Sequence, residues 1–106
     1  MDKKKDRVMI AINNLVSKIR KMIHVEKVIL FGSRARGDNK EKSDIDLIIL
    51  SKDFEGIKFF KRSPAFYLLW DAPYDINIIC LTQQEFAQKI KEIGIMKQAI
   101  AEGIEL

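Results

Sequence analysis

Apolar residues open the chain at a helical spacing. Val8, Ile12, Leu15, Val16, Ile19, Met22 and Ile23 recur every three or four positions, which gathers them into one stripe. The positions between them are rich in lysine, so the pattern predicts an amphipathic helix over residues 5–23 with a solvated outer face. The pattern then changes. Residues 28–31 (VILF) form a short, branched, apolar run stopped by Gly32, which reads as a buried strand. Residues 46–50 (DLIIL) read as a second strand and residues 74–81 (YDINIICL) as a third. On a strand the side chains alternate between faces. Ile76, Ile78 and Cys80 therefore share one face of the third strand, and Asp75, Asn77 and Ile79 share the other.

Helices separate these strands. Ser63 and Pro64 fit an N-cap and a first turn, which predicts a short apolar helix running to Trp70. Thr82 followed three residues later by Glu85 matches a capping box. The helix it opens is expected to run to about residue 93, with Phe86, Ile90 and Ile93 inward. Gly94 breaks it, a last short helix is expected over 95–102, and residues 104–106 suit an edge strand. The expected fold class is α/β (α+β): a small mixed β-sheet with helices packed mainly on one face and the other face partly open.

Composition narrows the function classes. With 106 residues and 47% apolar content, the expectation is one domain over 1–106 with a modest core. No apolar run approaches membrane-spanning length. The basic N-terminal stretch lacks an apolar core of signal-peptide length, so a cytoplasmic location is expected. Cys80 is the only cysteine, which excludes an intrachain disulfide and a thiolate zinc cluster and makes Cys80 a small core residue. His24, the only histidine, falls at a helix end and is assigned no metal or catalytic role. The net charge of +4 comes from 19 basic and 15 acidic residues, interspersed along the chain. No RNA-recognition, zinc-finger or helix-turn-helix pattern accompanies it, so direct nucleic-acid binding is not expected. The aromatic run Phe59, Phe60, Phe66, Tyr67 and Trp70 reads mainly as core; an exposed part would stack a base or dock a partner protein.

The chemistry is concentrated in residues 31–50, FGSRARGDNKEKSDIDLIIL. Gly32 permits a sharp turn and close approach of a ligand to the backbone. Ser33 to Arg36 are read as the start of a short helix, whose free N–H groups suit an anion, and the guanidinium forks of Arg34 and Arg36 suit phosphate oxygens. Either arginine could instead pair with Asp38 or Glu41. Asp44 and Asp46 then fall on one face of the second strand, opposite Ile45, Leu47 and Ile49. Two carboxylates side by side call for a cation, and hard oxygen ligands near phosphates point to Mg²⁺. An anion cradle followed by a carboxylate pair describes a site for ATP or another nucleoside triphosphate with its metal.

The succession of strand, Gly-Ser, ten residues, Asp-x-Asp and apolar strand resembles the nucleotidyltransferase superfamily that includes DNA polymerase β. GSRARG with SDIDL is most similar to its minimal nucleotidyltransferases, and the resemblance covers nearly the whole chain. It implies the polymerase β-like fold, phosphate binding by Gly32 and Ser33, and transfer of a nucleoside monophosphate, AMP from ATP, to a hydroxyl acceptor. It further implies two metal ions held by three carboxylates, with Asp44 and Asp46 as two of the ligands. In the family the third acid often lies five residues before the threonine that caps the next helix. Here that position is Asn77; Asp75, two residues earlier on the same face, is the provisional third ligand and catalytic carboxylate. The family's partners are HEPN-domain toxins, which implies an antitoxin of a toxin–antitoxin pair; the residues themselves leave both a homodimer and a hetero-oligomer open. The alternative is a catalytically weak or inactive nucleotide-binding subunit that acts by protein–protein contact.

Overall fold

The computed structural model describes residues 3–32, 44–92 and 103–106. Helix α1 (Lys3–Met22) is followed by strands β1 (Lys27–Phe31) and β2 (Ile45–Leu50) and a 3₁₀ turn (Lys52–Phe54). Two four-residue helices, α2 (Phe59–Arg62) and α3 (Pro64–Tyr67), lead to β3 (Ile76–Leu81), α4 (Gln83–Glu92) and the short β4 (Ile104–Glu105). The strands form one mixed sheet in the order β3-β2-β1-β4. β1 runs antiparallel to β2 and β4, while β2 and β3 are parallel. β4 occupies the edge predicted for it. The helix expected over 95–102 lies outside the described residues.

The stripe on α1 does what its spacing predicts as far as Ile19; Met22, in the last turn, is exposed, and Ile23 falls beyond the helix end. Val8, Ile12, Leu15, Val16 and Ile19 are buried against Val28 and Leu30 of β1, Ile45, Leu47 and Ile49 of β2, and Ile78 and Cys80 of β3. Each such side chain contributes about 1.5–3 kcal/mol on burial. The opposite face of the sheet carries a smaller cluster of Ile29, Ile48, Leu50 and Leu81, joined by Phe31, Ile79 and by Phe86 of α4. β2 is central, so it is buried on both faces from Leu47 to Leu50. Only Asp46 near its start, with Asp44 just before the strand, reaches solvent on the second face.

The aromatic segment folds differently from the single helix expected over 63–70. Pro64 has no N–H to continue the ladder of α2, so the chain forms two short helices with Ser63 at the joint. Ser63 has helical backbone angles and its side chain caps nothing. The aromatics divide accordingly. Phe66 is buried edge-on to Phe54, with ring centroids 6.2 Å apart, whereas Phe59 and Phe60 are exposed. The Tyr67 hydroxyl accepts a hydrogen bond from the Ile78 N–H of β3 at 2.9 Å, and Trp70 Nε1 donates to the Tyr74 carbonyl at 2.7 Å.

Arg62, at the end of α2, is buried (8% exposed). Its Nε donates to the Ile57 carbonyl, and one terminal nitrogen donates to the Cys80 carbonyl. Both terminal nitrogens clasp the Glu85 carboxylate at 2.6 and 3.0 Å. Glu85 also closes the predicted capping box: its carboxylate accepts from the Thr82 N–H at 2.8 Å, and its own N–H donates to Thr82 Oγ1 at 3.2 Å. The Arg62 fork, together with the Thr82 contacts, holds the Glu85 carboxyl at about 2, well below the carboxylate range. One glutamate thus starts α4 and fixes it to α2.

At the end of the sheet away from Asp46, polar contacts join the α1–β1 connection to the turn that follows β2. Ser51 Oγ donates to the His24 carbonyl at 2.6 Å, and the His24 N–H donates to the Asp53 carboxylate at 2.8 Å. The backbone of His24 is therefore what is used here. Cys80 is buried, as its alternation predicts, and burial pushes its thiol up to about 12, with Arg62 opposing the rise. Since the thiolate is the reactive form, Cys80 is expected to stay unmodified by a thiol reagent such as DTNB in the folded protein and to react fully in denaturant. Rapid labelling of the native protein would contradict this packing.

Candidate active site

β1 brings Gly32 to the acidic end of β2. Phe31 pairs with Asp46 in the antiparallel ladder, and Gly32, the next residue, turns the chain with φ +77°. A Cβ built at Gly32 would lie 2.6 Å from Asp46 Oδ2. Glycine is therefore required twice, by a left-handed backbone and by the space the carboxylate occupies. Gly32→Ala is expected to cost about 1–2 kcal/mol from the backbone conformation alone and to drive the Asp46 side chain out of place. A thermal melt of the variant with a Tm equal to wild type would refute this.

β3 supplies the other wall. Its parallel register sets Asn77 directly beside Asp46 and Ile76 beside Ile45. From there Asn77 Nδ2 donates to Asp46 Oδ1 at 3.0 Å and to Asp44 Oδ2 at 3.4 Å. The two carboxylates, which strand alternation places on one face, thus converge on a single amide group. Asp44 and Asn77 are exposed and Asp46 is half-buried, so the cluster faces solvent. Asp75, the provisional third ligand, is exposed, and its carbonyl accepts from the Ile45 N–H at 2.9 Å. Among the described residues no three acidic, histidine or cysteine side chains gather closely enough to hold a metal ion together. Ser33, Arg34 and Arg36 lie outside the described residues.

The donor set suits one hard divalent cation at the Asp44–Asp46 pair: two carboxylates, accessible to water, with an amide whose carbonyl oxygen is also a hard donor. Gly32, half-buried, brings backbone without a side chain directly beside that pair. Sequence reasoning found the pair and the glycine from local pattern. It did not foresee the bond from Asn77 to both carboxylates, or the Arg62–Glu85 clasp. Arg62, beside Lys61 in the otherwise mostly apolar run 59–70 and followed by a capping-box glutamate, was the available signal for that clasp.

Residues 12–101 match the family model of the nucleotidyltransferase domain, and the chain belongs to that family. Its members use a nucleoside triphosphate and a divalent metal ion. A candidate protein adenylyltransferase of Methanocaldococcus jannaschii is 41% identical over 54 residues, which cover 51% of this chain and 54% of that protein. A second from the same organism is 53% identical over 45 residues, covering 42% of this chain and 43% of that one. The chain thus spans about half the length of these relatives. The crystal structure of a candidate nucleotidyltransferase from Sulfolobus solfataricus superposes with a TM-score of 0.70, over 96% of this chain and 81% of that one. At 22% identity that likeness establishes the polymerase β-like fold.

Proposed function

We propose that this single domain is a Mg²⁺-dependent nucleotidyltransferase that moves AMP from ATP onto a hydroxyl group of a partner protein. The observation that carries this is the convergence of Gly32, Asp44 and Asp46 at one open end of the sheet. The names of the two archaeal relatives support adenylylation of a protein. The GSRARG and SDIDL motifs of the minimal nucleotidyltransferases support a HEPN-domain partner, an antitoxin role and a cytoplasmic setting.

In this reading Gly32 admits the triphosphate to the backbone, and Ser33, with Arg34 or Arg36, binds its phosphate oxygens. Asp44 and Asp46 hold the cation. When bound, Mg²⁺ neutralises phosphate charge and lowers the pKa of the acceptor hydroxyl. The hydroxyl oxygen bonds to the α-phosphorus as its proton passes to the Asp75 carboxylate, the bond from that phosphorus to the β-phosphate bridging oxygen breaks, and pyrophosphate leaves with the electron pair. Asp75, one strand away, is the proposed acceptor-side carboxylate. Asn77 gives specific support to a second reading: a neutral amide beside the pair is consistent with a nucleotide-binding antitoxin that does not transfer.

The two readings separate in one set of measurements. ATP binding is followed by calorimetry with and without Mg²⁺, on wild type and Asp75→Asn, alongside pyrophosphate release with the partner protein present. Metal-dependent binding in both, with release lost only in the variant, is the result expected of the enzyme. Binding in both with release from neither supports the antitoxin that only binds. Absence of ATP binding in the presence of Mg²⁺ would defeat both.

A further inference from the structure

We propose that Asn77 is a positioning residue that stands in for the cation, holding Asp44 and Asp46 together while the site contains no metal. The inference rests on the metal-binding reading above and adds to it a role for a residue that is not itself an acid. Two like charges on one face of a strand repel each other, at about 6–7 Å between alternate positions. The parallel register puts Asn77 beside Asp46, and the amide spends one hydrogen bond on each carboxylate, at 3.0 and 3.4 Å. A primary amide has two N–H donors and no net charge, so it satisfies both carboxylates without fixing a cation permanently. A cation entering between the carboxylates meets the positive end of the amide dipole. The amide must turn its oxygen inward or withdraw before the ion is seated.

An aspartate in this place would reverse both properties. It would set a third negative charge against the pair in the metal-free protein and supply a third charged ligand in the loaded one. Asn77 therefore stabilises the empty site and weakens the affinity for free metal. A cation carried in by a triphosphate, whose phosphates provide the missing charge, is favoured over the ion alone.

The test uses Mn²⁺ alone as the probe, with affinity from the electron paramagnetic resonance of free Mn²⁺ and Tm measured in chelator and in excess Mn²⁺. Wild type, Asn77→Asp and Asp44→Asn/Asp46→Asn are compared. Asn77→Asp is expected to melt below wild type in chelator and to bind Mn²⁺ about tenfold more tightly or better, so that Mn²⁺ raises its Tm more than it raises that of wild type. If the variant folds only when Mn²⁺ is added, the same conclusion follows. Unchanged Mn²⁺ affinity, an unchanged Tm in chelator, or failure to fold even with Mn²⁺ would overturn the role of Asn77. The double variant separates this from the reading beneath it: if wild type and double variant bind Mn²⁺ equally, the carboxylate pair is not the metal site. Loss of binding in the double variant, with Asn77→Asp behaving as wild type, removes only the role of Asn77.

Discussion

Glu85→Ala is expected to destabilise the fold by about 3 kcal/mol, because it leaves the Arg62 guanidinium buried with its charge unpaired. The residue sits at the surface end of the pair: its side chain is 41% exposed, whereas that of Arg62 is 5% exposed. The cost therefore comes from the arginine left behind, which keeps its bonds to the Ile57 and Cys80 carbonyls and its place over the Phe54 ring but loses its counter-charge. Loss of the Thr82 cap adds to it. Glu85→Gln keeps an oxygen for the cap and for one arginine nitrogen, and is expected to cost about half as much. Urea melts of the two variants check the order. A loss below about 1 kcal/mol for Glu85→Ala would mean that Arg62 finds water instead.

The same pair sets a pH dependence whose sign is fixed. The Glu85 carboxyl falls from 4.5 to about 2 in the folded protein, so its contribution to stability is present above the unfolded value and is lost as pH falls through the folded value. Wild type is expected to lose stability between about pH 4.5 and pH 2, a component that Glu85→Gln lacks. Parallel acid titrations of the two proteins that show the same loss would refute it.

Asp46→Asn is expected to abolish transfer, by about a thousandfold or more, since the loss of one charged metal ligand removes several kcal/mol of transition-state stabilisation. The substitution is close to isosteric and the residue is half-buried at an open end of the sheet, so the Tm should change little. Two readouts must therefore diverge: pyrophosphate release collapses while the melt stays near wild type. Asp44 is more exposed and receives the longer of the Asn77 bonds. Its asparagine variant is expected to show the same divergence. Retained transfer in Asp46→Asn at wild-type rate would remove the pair from the chemistry. In the toxin–antitoxin reading, the Asp44→Asn/Asp46→Asn double variant should also stop neutralising its partner; full neutralisation would make contact, not catalysis, the essential role.

What could be read from the sequence was local. The α1 stripe, the alternation on β2 that aligns Asp44 with Asp46, and the Thr82–Glu85 box each depend on residues within a turn or two of one another, and the fold uses all of them. Gly32 was legible as a turn, although the 2.6 Å approach of its missing Cβ to Asp46 depends on how β1 pairs with β2. The choice between Asp75 and Asn77 is of the same kind. Both lie on one face of β3, and only the register across to β2 decides which is set beside Asp46. Arg62 was hidden for a similar reason, since its partner lies 23 residues away, at the start of a helix whose cap is legible locally but whose place beside α2 is not. The aromatic segment misled through Pro64, which fits the start of a long helix as readily as the joint between two short ones.

The contacts that Tyr67 and Arg62 make along β3 have a bearing on association. Among the described residues β3 is the outermost strand on its side of the sheet, and such margins invite further strands to add. Here the Ile78 N–H is taken by a phenol oxygen and the Cys80 carbonyl by a guanidinium. An incoming chain would have to expel both before it could form its first two ladder bonds. The helices that carry Tyr67 and Arg62 thus act as a stopper against amyloid-like stacking and strand exchange along this margin.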